Sequence, residues 1–372
     1  GQPMKVLITG AGGFLGKHLT EGLAALPPAC RPQVLACHRD TPPDLLASWC
    51  REASFMFHLA GVNRASHPEA FWEGNLAFTR ALLAQLADHP CPILFTSSIL
   101  AGDPTPYGQS KLAAEEALLQ YGAATGAEVF LYRLPHVFGR GSRPDYNSAV
   151  ATFCHRMARG LPITIQNPGQ RLHLAYVDDV VEEFLACFSG SPCQKDGFCH
   201  IPKVSSVTLE DILALLSTFN RRRAEGALPP LHAPFAKQLY ATYLSFLPQE
   251  ALRRSQTMHQ DPRGSFTELF RTASHGQLSV SLTRPGIVRG NHWHRTKAET
   301  FWVVQGEGVI RLKSPTGEVC SFPVSGREMT AIDIPPGYAH TIENRGSTDL
   351  VTLLWASECF DPSHPDTYPQ EV

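Results

Sequence analysis

Tyr107 and Lys111, in the run Tyr-Gly-Gln-Ser-Lys, have the spacing that puts two side chains one turn apart on one helical face. An ammonium held beside a phenol favours the tyrosinate and brings it into range for proton transfer. Ser98 closes the run Ile93-Leu94-Phe95-Thr96-Ser97-Ser98, where its hydroxyl can hydrogen-bond the same substrate oxygen. Tyr-x-x-x-Lys by itself is a common surface pair, so its meaning depends on the elements around it. A second constellation lies far downstream: His292-Trp293-His294, four residues, Glu299, and a distant His340. His292 and His294 alternate onto one strand face, and three imidazoles with one carboxylate suit a divalent transition metal. Zinc is expected, one ion per chain, although ligand type also admits manganese, iron or nickel.

The elements before Tyr107 have the order that a dinucleotide needs. Lys5 to Thr9 reads as a parallel strand buried on both faces, Gly10, Gly13 and Gly16 follow at once, and Leu15, Leu19, Leu23 and Leu26 recur at helical spacing. A strand, a glycine turn and a helix bring backbone N–H groups close to a pyrophosphate, with Phe14 and Leu15 in the first helical turn. A second strand, Val34 to Cys37, ends in His38-Arg39 where an NAD enzyme usually places a carboxylate for the ribose. Arginine there suits a 2′-phosphate, so NADPH is expected over NADH; Asp40, one residue on, could still face a ribose. The run Phe55 to Leu59 ends in Ala60-Gly61, small residues that let the backbone pass beneath the cofactor, and Lys111 lies within reach of the same ligand.

The second half has a different rhythm. Pro229-Pro230, Pro234, Pro248 and Pro262 punctuate the middle of the chain, and a boundary is placed so that residues 4–246 form the first domain, 247–258 a linker and 259–372 the second domain. Beyond it, short alternating strands are expected at Gln277 to Leu282, Thr300 to Val304, Gly308 to Leu312 and Val351 to Trp355. Such spacing predicts an antiparallel barrel or jelly roll. The fold class expected overall is therefore α/β, a Rossmann-type doubly wound parallel sheet, followed by an all-β domain.

Length and composition limit what else the chain can be. With 372 residues it exceeds what one core usually serves, and 43% apolar with 18% charged residues is ordinary for a globular protein. A formal net charge of −2 offers no field to recruit nucleic acid or an anionic membrane. No apolar run is long enough for a membrane span, so a cytoplasmic protein is expected. Ten cysteines without a Cys-x-x-Cys pair read as reduced, mostly buried thiols. Gly1-Gln2-Pro3 ahead of Met4 reads as a cloning remnant.

Gly10 to Gly16, Ser98, Tyr107 and Lys111 together resemble the extended short-chain dehydrogenase/reductase family, which mostly handles nucleotide sugars. Its dehydratases carry an acid pair beside the strand-end threonine; Thr96-Ser97-Ser98 has none, which argues against dehydration. Arg133 to Gly139 resembles the family's substrate-side strand, with His136 where many members have asparagine. The resemblance offers His136, Asn147 and Arg171 as substrate contacts. Gly286, His292, His294, Glu299, Gly306 and the run Pro335 to Asn344 resemble the cupin signature, except that eight residues separate Gly326 from Pro335 where five are usual.

The fusion, with Asp261 to Glu268, Gly290 to His294 and the tail Pro365 to Tyr368, is similar throughout to the CapF family of capsular-polysaccharide enzymes. That resemblance implies a cytoplasmic homodimer that acts on a UDP-4-keto-6-deoxy-HexNAc. The cupin would epimerise C3 and the reductase would then reduce the C4 ketone, towards UDP-N-acetyl-L-fucosamine. Chemistry imposes the same order, because the C3 proton is acidic only while C4 is a ketone. Lys297, Tyr338 and Glu299 are candidates for the epimerase base. Two other readings stand beside this one: a ketoreductase whose cupin is a metal-stabilised dimerisation module, and a nucleotide-sugar binding protein, which the Ser98, Tyr107 and Lys111 set opposes.

Overall fold

Val6 and Ile8 of strand β1 (Lys5–Thr9) enter one buried cluster and Leu7 enters another, so the strand is apolar on both faces and must lie inside a layered sheet. The computed structural model describes residues 2–146 and 148–372. Two compact units are present, one formed by residues up to Leu216 with Pro234–Leu247 and the other by Ser217–Ala233 with Pro248–Val372.

In the first unit, β2 (Gln33–Cys37), β1, β3 (Phe55–His58), β4 (Ile93–Ser98) and β5 (Val129–Leu134) lie side by side, all parallel. A second small sheet contains β6 (His136–Phe138) and β7 (Arg171–Tyr176). The hairpin of β8 (Gln194–Lys195) and β9 (Phe198–Cys199) extends the main sheet past β5, and β10 (Ser205–Thr208) adds antiparallel to β7. Leu19 and Leu23 of the helix Phe14–Ala24 are fully buried among Val180, Val181 and Phe184 of the helix Val177–Phe188. Burial of each such leucine contributes roughly 1.5–3 kcal/mol. Leu26, expected as a fourth helical leucine, lies past the helix end because Pro27 disfavours a helical residue before it. It still packs against the same cluster.

The second unit is all β. Strands β11 (Met258–Asp261), β12 (Gly264–Arg271) and β13 (Gln277–Thr283) start it, then β14 (Val288–Trp293), β15 (Glu299–Gln305), β16 (Glu307–Lys313) and β17 (Val319–Ser325). It continues with β18 (Ala331–Ile334), β19 (Ala339–Asn344), β20 (Leu350–Ala356) and β21 (Tyr368–Pro369). One sheet runs β11-β12-β13-β20-β15-β18 and the other β17-β16-β19-β14-β21. Phe301 and Val303 from the first sheet bury against Ile310, Leu312 and Ile342 from the second, the face-to-face packing of a cupin. The four expected strands are each present, longer by one or two residues at their ends. Ser217–Ala233 joins this unit where Gly226 and Leu228 exchange backbone hydrogen bonds with Arg271 at the end of β12. All ten cysteines are free and six are buried, so no disulfide contributes to either core.

Candidate functional sites

Thr105 caps the helix Pro106–Thr125 by accepting from Gly108 N–H at 3.0 Å, and Pro106 supplies a preset φ at the first position. The helix therefore carries Tyr107 in its first turn, and one turn later Lys111 reaches back to β4. Gly108 is required because a Cβ there would come 2.6 Å from the Leu100 carbonyl oxygen. Tyr107 donates its hydroxyl to Asn63 Oδ1 at 3.2 Å. Burial raises its pKa, and a hydrogen bond with Ser98 opposes that rise. Lys111 is buried and donates from Nζ to the Thr96 carbonyl at 3.2 Å, rather than resting on the phenol. Burial pushes its pKa down to about 8, against the pull of the Glu115 carboxylate.

Several residues around this set were not singled out by the sequence reading. Glu115, one further turn along the helix, is buried, accepts from Ser97 Oγ at 2.5 Å and takes a two-pronged contact from Arg133 at 2.8 and 3.0 Å. Its i,i+4 spacing from Lys111 was the available signal. His58 bridges Thr9 Oγ1 and Thr79 Oγ1 at 2.7 and 2.8 Å, and burial pushes its pKa down to about 3, so it serves as a neutral strut. Asn75, in a π-helical turn over Trp72–Ala77, accepts from Val62 N–H and donates to Ser110 Oγ, which fixes the loop that carries Asn63.

The glycine turn has the close approaches its spacing predicts. Gly10 has φ +68°, and a Cβ on it would lie 2.8 Å from the Ala60 backbone nitrogen. A Cβ on Gly16 would lie 2.2 Å from the Gly10 carbonyl oxygen. Gly13 occupies the N-cap of the helix that begins at Phe14 and Leu15, with no side-chain cap on its N–H groups. Ala60 donates its N–H to Thr9 Oγ1, and a Cβ on Gly61 would stand 3.0 Å from Lys111 Nζ. His38 and Arg39 are exposed immediately after β2. If Arg39 grips a 2′-phosphate, Arg39→Ala should raise the KM for NADPH by about tenfold or more with little change for NADH. Equal changes for both cofactors in steady-state assays would remove that role.

His136 opens β6, and partial burial lowers its pKa. Arg171 opens β7 and donates from Nη1 to the backbone oxygen and Oγ of Ser206 at 3.2 and 3.3 Å. Asn147 lies outside the described residues.

In the second unit the structure brings His292, His294 and His340 together, with ligand-capable nitrogens within 4.8 Å of one another. A bulge achieves this: Gly290 pairs with Thr341 and His292 with His340, so Asn291 is extruded at φ +60° and His292 turns onto the face it shares with His294. Glu299 Oε1 stands 2.7 Å from His294 Nε2 and 3.5 Å from His340 Nε2. That oxygen is buried yet has no hydrogen bond of acceptable geometry, as expected of an atom aimed at a shared cation. The Nδ1 atoms of His294 and His340 contact the backbone carbonyls of Asp366 and Tyr338 at 2.7 and 3.4 Å, leaving both Nε2 atoms for a ligand. Burial, aided by the other two imidazoles, pushes the His292 pKa down to about 4. At His294 burial acts the same way, but the hydrogen bond and charge of Glu299 outweigh it and raise the pKa, so the fit to a divalent ion rests on the donor set of three imidazoles and one carboxylate.

A strand, glycine turn and helix with a Ser, Tyr and Lys set, followed by an all-β unit with a three-histidine cluster, define a class of reductase fused to a cupin. The NAD dependent epimerase/dehydratase family matches residues 6–190, and the polysaccharide biosynthesis C-terminal domain matches residues 259–368. A Pseudomonas aeruginosa protein named UDP-2-acetamido-2,6-beta-L-arabino-hexul-4-ose reductase is 39% identical, covering 99% of both chains. The crystal structure of the capsular polysaccharide assembling protein CapF from Staphylococcus aureus is 43% identical, covers 99% of this chain and 100% of that one, and superposes with a TM-score of 0.93. A UDP-glucuronic acid 4-epimerase from Bacillus cereus, 19% identical with a TM-score of 0.55 over 65% of this chain, shares the fold. The chain belongs to the CapF family, an extended short-chain dehydrogenase/reductase with a C-terminal cupin.

Proposed function

We propose that this protein is an NADPH-dependent 4-ketoreductase of a UDP-2-acetamido-2,6-dideoxy-4-hexulose whose cupin first epimerises C3, on the route to UDP-N-acetyl-L-fucosamine. The observation that carries the reading is the Ser98, Tyr107 and Lys111 set at the end of β4, in a chain similar from end to end to a protein named for reduction of such a 4-hexulose. Residues 4–246 would supply the reductase and residues 259–372 the epimerase, joined through 247–258, in a cytoplasmic homodimer. Among the described residues no helix is long and apolar enough to cross a membrane.

In the reductase site, Gly10, Gly13 and Gly16 leave room for the pyrophosphate, His38 and Arg39 stand where a 2′-phosphate would lie, and Ala60 and Gly61 pass beside Lys111. NADPH supplies the hydride for C4. Tyr107 protonates the emerging alkoxide, which requires its hydroxyl to leave Asn63 Oδ1 for the substrate oxygen while Ser98 bonds the same atom. Lys111, charged below about pH 8, supports that transfer electrostatically. His136, Asn147 and Arg171 are proposed to contact the nucleotide sugar.

In the cupin, His292, His294, Glu299 and His340 would hold one divalent ion, with zinc the first choice. The ion supplies Lewis acidity towards a carbonyl oxygen. Lys297, adjacent to the cluster, and Tyr338, packed beside the core, remain candidates to move the C3 proton, whereas Glu299 is committed to the histidines.

The test is to incubate the UDP-4-hexulose in D2O with enzyme and no NADPH, then to add NADPH and identify the product by NMR. Deuterium at C3 before reduction, followed by one NADPH consumed per product, supports the reading. Reduction without prior exchange would leave a simple ketoreductase with a structural cupin.

A further inference from the structure

The C-terminal tail returns to the cupin site. Tyr368 pairs with Trp293 and stacks on its ring at 4.7 Å, Pro369 pairs with His292, and Gln370 donates its N–H to the Asn291 carbonyl. Asp366 lies just ahead of that strand. Its carboxylate accepts from the backbone N–H groups of Arg295, Thr296 and Lys297 at 2.9, 3.1 and 3.2 Å, and from the Thr296 hydroxyl at 3.1 Å. Its own carbonyl faces His294 Nδ1 at 2.7 Å. It does so at φ +48°, a conformation that Asp tolerates better than most residues. One tail residue thus meets both the ring of His294 and the turn that joins His294 to Glu299.

We infer that Asp366 is a positioning residue for the cupin site, and that the tail latches the Arg295–Lys297 turn so that His294 and Glu299 converge before any ligand arrives. The inference rests on the metal reading of the histidine cluster. Three successive N–H groups in a turn have no strand partner, so without the carboxylate they would turn to water and the turn would loosen. A ligand pair joined by a loose turn must be ordered on binding, and that ordering lowers affinity.

The test uses full-length protein stripped of metal and titrated with Co2+ against a chromophoric chelator, read together with the visible spectrum of the bound ion. Wild type should take up one Co2+ per chain. Asp366→Ala should bind about 10–100-fold more weakly with an altered spectrum. Asp366→Asn, which keeps one acceptor oxygen, should lose roughly 2–10-fold. Asp361→Ala, in the same tail but bonded to Ser363 and His364, should match wild type. Each metal-free protein should keep the wild-type circular dichroism spectrum and a single cooperative melt, with Asp366→Ala melting lower because the turn loses its carboxylate, which separates positioning from a general loss of fold. Wild-type affinity and spectrum in Asp366→Ala overturn the inference; if that variant does not fold, wild-type affinity in Asp366→Asn does the same. Absence of Co2+ uptake by wild type would overturn the metal reading itself, and the latch with it.

Discussion

Tyr107→Phe should lower ketone-dependent NADPH oxidation by about 10²–10⁴-fold, the usual contribution of a positioned general acid. The change deletes one oxygen from a half-buried ring that packs edge-on against Phe71, so the helix and its Thr105 cap should persist. Only the proton for the C4 alkoxide is lost. Because C3 exchange is assigned to the other unit, deuterium should still enter C3 at the wild-type rate. The wild-type reductase should also show an alkaline limb in kcat/KM. Lys111 is charged below its depressed pKa of about 8 and neutral above it, so the rate should fall as pH rises through that value. Loss of C3 exchange in a folded Tyr107→Phe protein would refute the division of labour.

His292→Ala should remove metal from the cupin and, with it, C3 exchange. Loss of an outer-shell partner costs roughly 10–100-fold in affinity, and loss of a ligand should cost more than that. His292 is the proposed ligand, and the bulge at Asn291 brings its ring against that of His340. Elemental analysis should fall from about one ion per chain to near zero, and solvent deuterium at C3 by about 100-fold or more. With NADPH present, the variant should reduce the unepimerised ketone slowly or leave it untouched, according to the stereochemical preference of the reductase site. Exchange at the wild-type rate in a metal-free protein would make the cupin structural.

Much of both sites was legible because their chemistry is local in the chain. A glycine turn between an apolar strand and an amphipathic helix, and Tyr107 one turn from Lys111, are properties of residues within a few positions of each other. Their periodicity therefore carries the geometry. His292 lies in β14 and His294 just past its end, where the sequence expected both on one strand; two-residue alternation still predicts the side they share. The support of these sets was not legible, because it comes from distant segments. Asn63 against Tyr107, Glu115 between Ser97 and Arg133, and His58 between Thr9 and Thr79 join residues whose separation along the chain gives no periodic signal.

By itself, then, the sequence determined the kind of fold in each half and the candidate residues it carries: short-range spacing specifies a strand, a glycine turn and a helix, and alternation specifies an antiparallel barrel or jelly roll. Only the tertiary structure decided the rest. It sent Ser217–Ala233 to the second unit through hydrogen bonds to Arg271, directed Lys111 to the Thr96 carbonyl, and set Asp366 against His294. The physical reason is common to all three. Each is a choice among backbone or side-chain partners of equal chemical type, and the choice is made by which partner packing leaves within about 3 Å.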